Sequence, residues 1–168
     1  MLITPVHIKK DIRITTFTPV FGQIPVRRSD ASPILEQLNL NDFKDKVFAF
    51  SASIPALCKV GIHKDSQYPV KWSLLLAPVD NDNVLIEIVR PKSNVIQTEV
   101  LTPVGTTSPS YRDEDCDVAE SWCLKYGSCY FNPSDVWHRA VNLVNRPQII
   151  FSLRSTEIEI DEVLKRIT

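Results

Sequence analysis

The chain has 168 residues, 43% of them hydrophobic and 23% charged, with a formal net charge of −1. That length allows one domain with a substantial core, and the composition excludes a disordered or fibrous chain. The near-neutral charge gives no electrostatic reason to expect nucleic acid or an anionic membrane as a partner.

Taken from the N-terminus, residues 1 to 28 alternate weakly through Val6, Ile8, Ile12, Ile14, Phe17, Val20 and Phe21. They read as one or two short strands broken at Pro19 and Pro25. Ser32-Pro33 then supplies a helix cap followed by Pro at the first helical position, with Ile34, Leu35 and Leu38 at helical spacing. A short helical element is expected over residues 33 to 45. From Val47 the pattern is β. Expected strands are Val47 to Phe50, Trp72 to Leu76, Val84 to Val89, Val95 to Leu101, Trp122 to Tyr126, Cys129 to Phe131 and Ile149 to Leu153. Turn signals such as Asp80-Asn81-Asp82-Asn83 and Asn145-Arg146-Pro147 separate them. Many short strands at this spacing indicate a sandwich or barrel. Thr102 to Glu120 is polar and acidic, and reads as a solvated loop or a lid with an acidic rim. Ile160, Val163, Leu164 and Ile167 recur at helical spacing, so a C-terminal helix should pack on the outside.

Several functions lose support along the way. Glycine is scarce, at 4 residues, and no Gly-rich phosphate loop exists. Cys58, Cys116, Cys123 and Cys129 form no Cys-x-x-Cys pair, so they read as free thiols rather than a zinc ribbon or redox site. No apolar run is long enough to span a bilayer, and Met1-Leu2-Ile3-Thr4-Pro5 does not open as a signal peptide. The expectation is a cytoplasmic protein with a single domain over residues 1–168.

One stretch carries chemistry. Gly61-Ile62-His63-Lys64-Asp65 runs towards the apolar segment Lys71-Trp72-Ser73-Leu74-Leu75-Leu76. In an extended segment His63 and Asp65 point to one side and Lys64 to the other. An imidazole and a carboxylate on one face can share a divalent metal ion, and His138 is the candidate third ligand. Two His and one carboxylate on one face of a metal, with the other positions open, is the non-haem Fe(II) oxygenase arrangement.

His63-Lys64-Asp65, Lys71 to Pro78, Gly127 to Phe131, His138-Arg139-Ala140-Val141-Asn142 and Pro147 to Arg154 together resemble the Fe(II)/2-oxoglutarate-dependent oxygenases. The closest likeness is to the aspartyl/asparaginyl β-hydroxylase and prolyl-hydroxylase-like group. The resemblance covers roughly residues 58 to 154. It implies a mainly β fold, a double-stranded β-helix (a cupin-like jelly roll), with the short helical element before it and the C-terminal helix after it. It implies Fe(II) on His63, Asp65 and His138, with 2-oxoglutarate as co-substrate and O2 as oxidant. The activity implied is a dioxygenase that hydroxylates an amino-acid side chain, free or in a peptide.

The sequence departs from that pattern at one place. A basic residue usually follows the distal His by about ten positions, where it meets the far carboxylate of 2-oxoglutarate; here that position is Gln148. Strand parity puts Arg146, Gln148, Ile150, Ser152 and Arg154 on one face. Arg154 is the expected cation, Ser152 a hydroxyl donor beside it and Arg146 the alternative, because one neutral amide cannot replace a bidentate guanidinium. Gln148 also favours a competing reading, a jelly-roll binding or structural protein with a vestigial metal site. A cupin-like metalloenzyme without 2-oxoglutarate is the third. Trp72, Leu74 and Trp137 read as packing, and Asn142 as a turn residue.

Overall fold

The computed structural model describes residues 2–8, 26–29, 32–65, 70–78, 83–101, 107–124, 128–131 and 135–168. The expected strand residues from Ile12 to Phe21 lie outside them, as do most of Asp80 to Asn83 and the turn at 125–127.

Among the described residues the fold is mainly β, with three antiparallel sheets and short helices. The first sheet has six strands. They are β1 (Thr4–Val6), β2 (Val26–Ser29), β3 (Val47–Ile54), β4 (Trp72–Leu76), β9 (Ser128–Phe131) and β11 (Gln148–Ser155), in the order β1-β9-β4-β11-β3-β2. The second sheet runs β10-β5-β8, from β5 (Val84–Pro91), β8 (Cys116–Leu124) and β10 (His138–Asn142). The third is a hairpin of β6 (Thr98–Leu101) and β7 (Thr107–Ser110).

The first sheet is covered on both faces. This is why β4, the segment Trp72-Ser73-Leu74-Leu75-Leu76, is buried at every position. Trp72, Leu74 and Leu76 pack with Phe151 and Leu153 against α1 (Ser32–Gln37) and α2 (Ile160–Ile167), through Ile34, Leu35, Leu38, Val163 and Ile167. Leu75 and Ile150 face the other way, onto Val84, Ile86, Ile88 and Leu124 near or within the second sheet. The C-terminal helix is tied down at its root. Trp72 Nε1 donates to the Ile158 carbonyl at 2.8 Å, and Ser155 Oγ accepts from the Glu157 and Ile158 amides.

Five local expectations change. The helical element over 33 to 45 is α1, which already includes Ser32, followed by a 3-10 turn at Asn41–Phe43. Asn39 separates them, with φ of 59°, and asparagine tolerates that left-handed geometry better than most residues. Thr102 to Glu120 is not a continuous loop, since Thr107–Ser110 and Cys116–Leu124 are strands. Pro109 is accepted there because β7 is an edge strand and need not donate on both sides. The strand expected at Val95 to Leu101 begins only at Thr98, and the one expected at Trp122 begins six residues earlier, at Cys116. β10 had no counterpart in the expected strands.

β10 escaped notice because it carries a buried arginine. Arg139 Nε donates to Glu87 Oε2 at 2.7 Å across the β10–β5 pair, and Nη1 to Asp113 Oδ1 at 2.5 Å. Asn142, at the other end of β10, is also buried. Its Nδ2 donates to the carbonyls of Ile54, Pro55 and Arg146, and its Oδ1 accepts from the Val144 amide. It therefore staples β3, β10 and the turn before β11 together. Asn142→Ala should orphan several buried carbonyls and lower stability by about 2–4 kcal/mol, read as a drop in the urea midpoint at unchanged slope.

Candidate metal centre

The site begins with backbone pairing. Residues 59 to 63 lie antiparallel to β10, through bridges of Lys59 with Val141 and of His63 with His138. His63 N donates to the His138 carbonyl at 3.1 Å, and His138 N returns a bond to the His63 carbonyl at 3.0 Å. Residues exchanging both bonds stand directly opposite each other, with side chains on one face. The two imidazole centroids are accordingly 4.5 Å apart. Asp65, two residues on, joins them. Its Oδ1 is 3.7 Å from His63 Nε2 and its Oδ2 is 3.7 Å from His138 Nε2. One ligand atom from each of the three lies within 4.8 Å of the others.

Both imidazoles are oriented from behind. His63 Nδ1 donates to the Gly61 carbonyl at 2.8 Å, and His138 Nδ1 donates to the Val136 carbonyl at 3.0 Å. A carbonyl can only accept, so each Nδ1 carries a proton, and each Nε2 is the ring nitrogen turned towards Asp65. Burial, and then the neighbouring His63, push the His138 pKa down to about 4. His138 is thus neutral at physiological pH, as a metal ligand must be.

Asp65 is the charged member. Burial opposes its ionisation, but His138, Arg154 and His63 outweigh it and hold the carboxyl below its ordinary value. Arg154 Nη2 lies 2.8 Å from Asp65 Oδ2. The two form an ion pair, and Oδ2 is sealed from solvent. A buried carboxylate with an imidazole nitrogen beside each of its oxygens suits a first-row divalent cation. Three ligand atoms each about 2.1 Å from one ion at right angles stand about 3 Å apart. The observed set, one atom from each residue within 4.8 Å of the others, would have to draw together by up to about 2 Å around an ion.

Parity along β11 holds around the site. Ser152 and Arg154 share the face of Ile150, which looks towards the second sheet. Arg154 Nε donates to Ser152 Oγ at 2.8 Å, and Ser152 Oγ is 2.8 Å from Ser73 Oγ on β4. The guanidinium also lies over Phe50, 5.1 Å from the ring centroid. Gln148 is buried at the opposite end of β11, about 20 Å from Arg154 along the strand. Arg146 is exposed in the preceding turn. Ser73 and Phe50 were not singled out from the sequence. A lone serine inside an otherwise apolar buried strand was the available signal for Ser73.

Behind the ligand strands, on the face that Lys64 takes, lies an aromatic cluster. Tyr111 and Trp137 meet edge to face at 4.9 Å, and Lys64 Nζ lies 5.0 Å from the Trp137 centroid. The β6–β7 hairpin reaches the ligand strand. Ser110 Oγ donates to the Ile62 carbonyl, and Val100 packs so close to Gly61 that a Cβ there would lie 2.9 Å from a valine methyl.

No family model matches the sequence, and no curated protein does. Among solved structures the chain is similar to EvdO2 from Micromonospora carbonacea var. aurantiaca, at 13% identity and a TM-score of 0.50, covering 79% of this chain and 67% of that one. It is also similar to vicilin from Corylus avellana (hazelnut), at 12% identity and a TM-score of 0.45, covering 89% of this chain and 32% of that one. A cupin domain from Bordetella pertussis Tohama I gives 14% identity and a TM-score of 0.31, covering 66% of this chain and 81% of that one. The chain thus spans about a third of the vicilin it matches. At 13% identity the likeness to EvdO2 is one of fold alone. The 2-His-1-carboxylate cluster on a mainly β scaffold is consistent with the broad Fe(II)/2-oxoglutarate-oxygenase-like superfamily, and with no particular subfamily. No helix among the described residues is long and apolar enough to cross a membrane.

Two outcomes are expected. Asp65→Ala should weaken Mn(II) or Fe(II) binding by at least about tenfold, since losing even an outer-shell partner costs that much. Lys64→Ala, whose side chain turns to Trp137, should leave it unchanged in the same calorimetric titration. The second concerns pH. Unfolded His138 takes up a proton near 6.5, whereas the folded chain resists until about 4. Metal-free protein should hold full stability above pH 6.5 and lose on the order of 3 kcal/mol as pH falls towards 4. Urea midpoints across that window would show the slope, and His138→Gln should flatten it.

Proposed function

We propose that the protein is a non-haem Fe(II), 2-oxoglutarate-dependent dioxygenase that hydroxylates an amino-acid side chain, free or in a peptide. The observation that carries the reading is the convergence of His63, Asp65 and His138 on one side of a shared space, with both Nδ1 protons already committed to carbonyls. The path of the chain supports a double-stranded β-helix. From β3 it crosses to the 59–63 segment beside the second sheet, back to β4, over to β5 and β8, back to β9, over to β10 and back to β11. This alternation suits a single domain with the metal centre between the two sheets at one end.

In that reading His63, His138 and Asp65 hold one face of the metal, and the remaining positions stay open. Bound Fe(II), with 2-oxoglutarate and O2, would supply the oxidising power to hydroxylate an unactivated C–H bond. The chain's own groups bind and orient. The Gly61 and Val136 carbonyls fix the imidazole rings. Arg154, braced by Ser152, is the cation available to a co-substrate carboxylate. Resemblance to the aspartyl/asparaginyl and prolyl hydroxylase-like group points to an amino-acid or peptide substrate.

The competing reading is a binding or structural protein with a vestigial site. The Arg154–Asp65 ion pair favours it, because it neutralises the carboxylate without any metal. An anaerobic titration separates the two. Fe(II) plus 2-oxoglutarate should give a weak visible metal-to-ligand band with wild type and none with Asp65→Ala. Arg154→Ala should weaken 2-oxoglutarate binding by roughly thirtyfold or more, the cost of losing a buried charge-assisted partner, and Arg146→Ala should do little. If wild type binds no 2-oxoglutarate at millimolar concentration with Fe(II) present, the binding-protein reading stands.

A further inference from the structure

We propose that Arg154 is a counter-ion latch, paired with Asp65 in the metal-free protein and transferred to a ligand carboxylate when a divalent metal takes Asp65. The consequence is positive coupling between metal and carboxylate binding. This rests on the metal-centre reading above and goes beyond it, because it assigns Arg154 a role in the metal-free state and links the two ligands energetically.

Three observations carry it. First, Arg154 Nη2 occupies the carboxylate oxygen that a metal on the triad would take: Oδ2 is 2.8 Å from Arg154 and 3.7 Å from His138 Nε2. A dication bound by the triad would sit beside the guanidinium, and like charges at that range repel strongly in a site so poorly hydrated. Second, Arg154 is held by groups that do not depend on Asp65. Its Nε donates to Ser152 Oγ, Ser152 leans on Ser73, and the guanidinium lies over the Phe50 ring. Release from Asp65 therefore leaves Arg154 at the site, with its terminal nitrogens turned to a new acceptor. Third, the charges balance only in two states. Asp65 and Arg154 alone sum to zero. A divalent metal raises the cluster to +2, and one dicarboxylate returns it to zero. Metal alone, or dicarboxylate alone, leaves a buried net charge.

Arg154 is here a positioning residue, and its test needs no turnover. Mn(II) affinity is measured by the loss of its free-ion paramagnetic resonance signal at pH 8, with and without saturating glutarate. Glutarate carries both carboxylates of a five-carbon dicarboxylate but no keto group to chelate the metal. In wild type, glutarate should tighten Mn(II) binding by at least about fivefold, and Mn(II) should tighten glutarate binding by the same factor, as linkage requires. Arg154→Gln removes the competing cation. It should bind Mn(II) about tenfold more tightly than wild type without glutarate, and glutarate should then have no effect. Ser152→Ala, which loosens the brace but keeps the charge, should retain the coupling at reduced size, and it supplies a second variant if Arg154→Gln does not fold.

The inference is overturned if glutarate leaves wild-type Mn(II) affinity unchanged. It is overturned equally if Arg154→Gln binds Mn(II) no more tightly than wild type, or if that variant keeps its glutarate response, since glutarate would then act on the metal directly. If wild type binds no Mn(II) at all, the metal-centre reading itself fails, and the latch fails with it. Metal binding without coupling removes the latch alone.

Discussion

A carboxylate taken out of water must be given a positive partner, and the organisation of this protein's candidate site follows from where it puts Asp65. Its side chain is only 12% exposed. Desolvation there works against the ionised form, and an unpaired buried charge would shift its pKa until it was neutral. The fold instead brings a guanidinium to it, with two imidazoles alongside, from three separate elements. His63 and His138 come from a backbone pair at the edge of the second sheet, and Arg154 comes from β11 in the first. The site is the place where the two sheets meet through one charge.

The imidazole pair depends on register. A slip of one residue between the 59–63 segment and β10 would send one histidine to the opposite face. Two features fix that register from outside the site. Lys59 pairs with Asp113, which also receives Arg139 from β10, and Arg139 is pinned across the sheet by Glu87. At the far end Asn142 holds β10 to β3 and to the turn before β11. Along β10 the inward residues make chemistry and packing, while the outward Arg139 makes alignment. Single exposed ion pairs contribute little to stability, but a network with a buried arginine at its centre can specify geometry.

How much of this the sequence disclosed depends on which signal was in use. Period-two parity needs only the residue types and an extended backbone. It placed His63 with Asp65 and put Arg154 on the face of Ser152, and the distances around Asp65 agree with it. The apolar run of β4 likewise marked a strand, with Trp72 and Leu74 as packing residues. Burial-based reading failed where burial is absent or disguised. β7 and the first half of β8 are polar strands whose backbone pairing leaves no apolar trace, and acidic residues made them look like loop. β10 was missed because Arg139 and Asn142 are polar yet buried, and only their partners reveal it. Those partners are distant in sequence: Glu87 is 52 residues from Arg139, and Ile54 is 88 from Asn142. Arg154's pairing with Asp65 was illegible for the same reason. The strand face could be read, but the residue opposite belongs to a segment 89 positions earlier whose path no local pattern fixes.

The two sides of the first sheet carry different burdens. Its outer face is a conventional apolar layer, with Trp72, Leu74, Phe151 and Leu153 against the two helices. Each fully buried leucine there contributes about 1.5–3 kcal/mol. Its inner face gives up that contribution at three adjoining positions, Ser73, Ser152 and Arg154, where leucine or isoleucine would pack well. A serine pair and an arginine in a sheet interior are justified only if each polar atom is satisfied, and the Ser73–Ser152–Arg154 chain satisfies them in sequence. The chain ends on Asp65. A structural core has no need of such a relay, since an apolar substitute of similar volume is often as stable or more so. The stability forgone on the inner face is offset by the helices on the outer one, which lets the sheet tolerate a charged site against it. Asp65 is therefore best understood as the reason for the polar residues around it, and the helix-covered face as the reason they can be there.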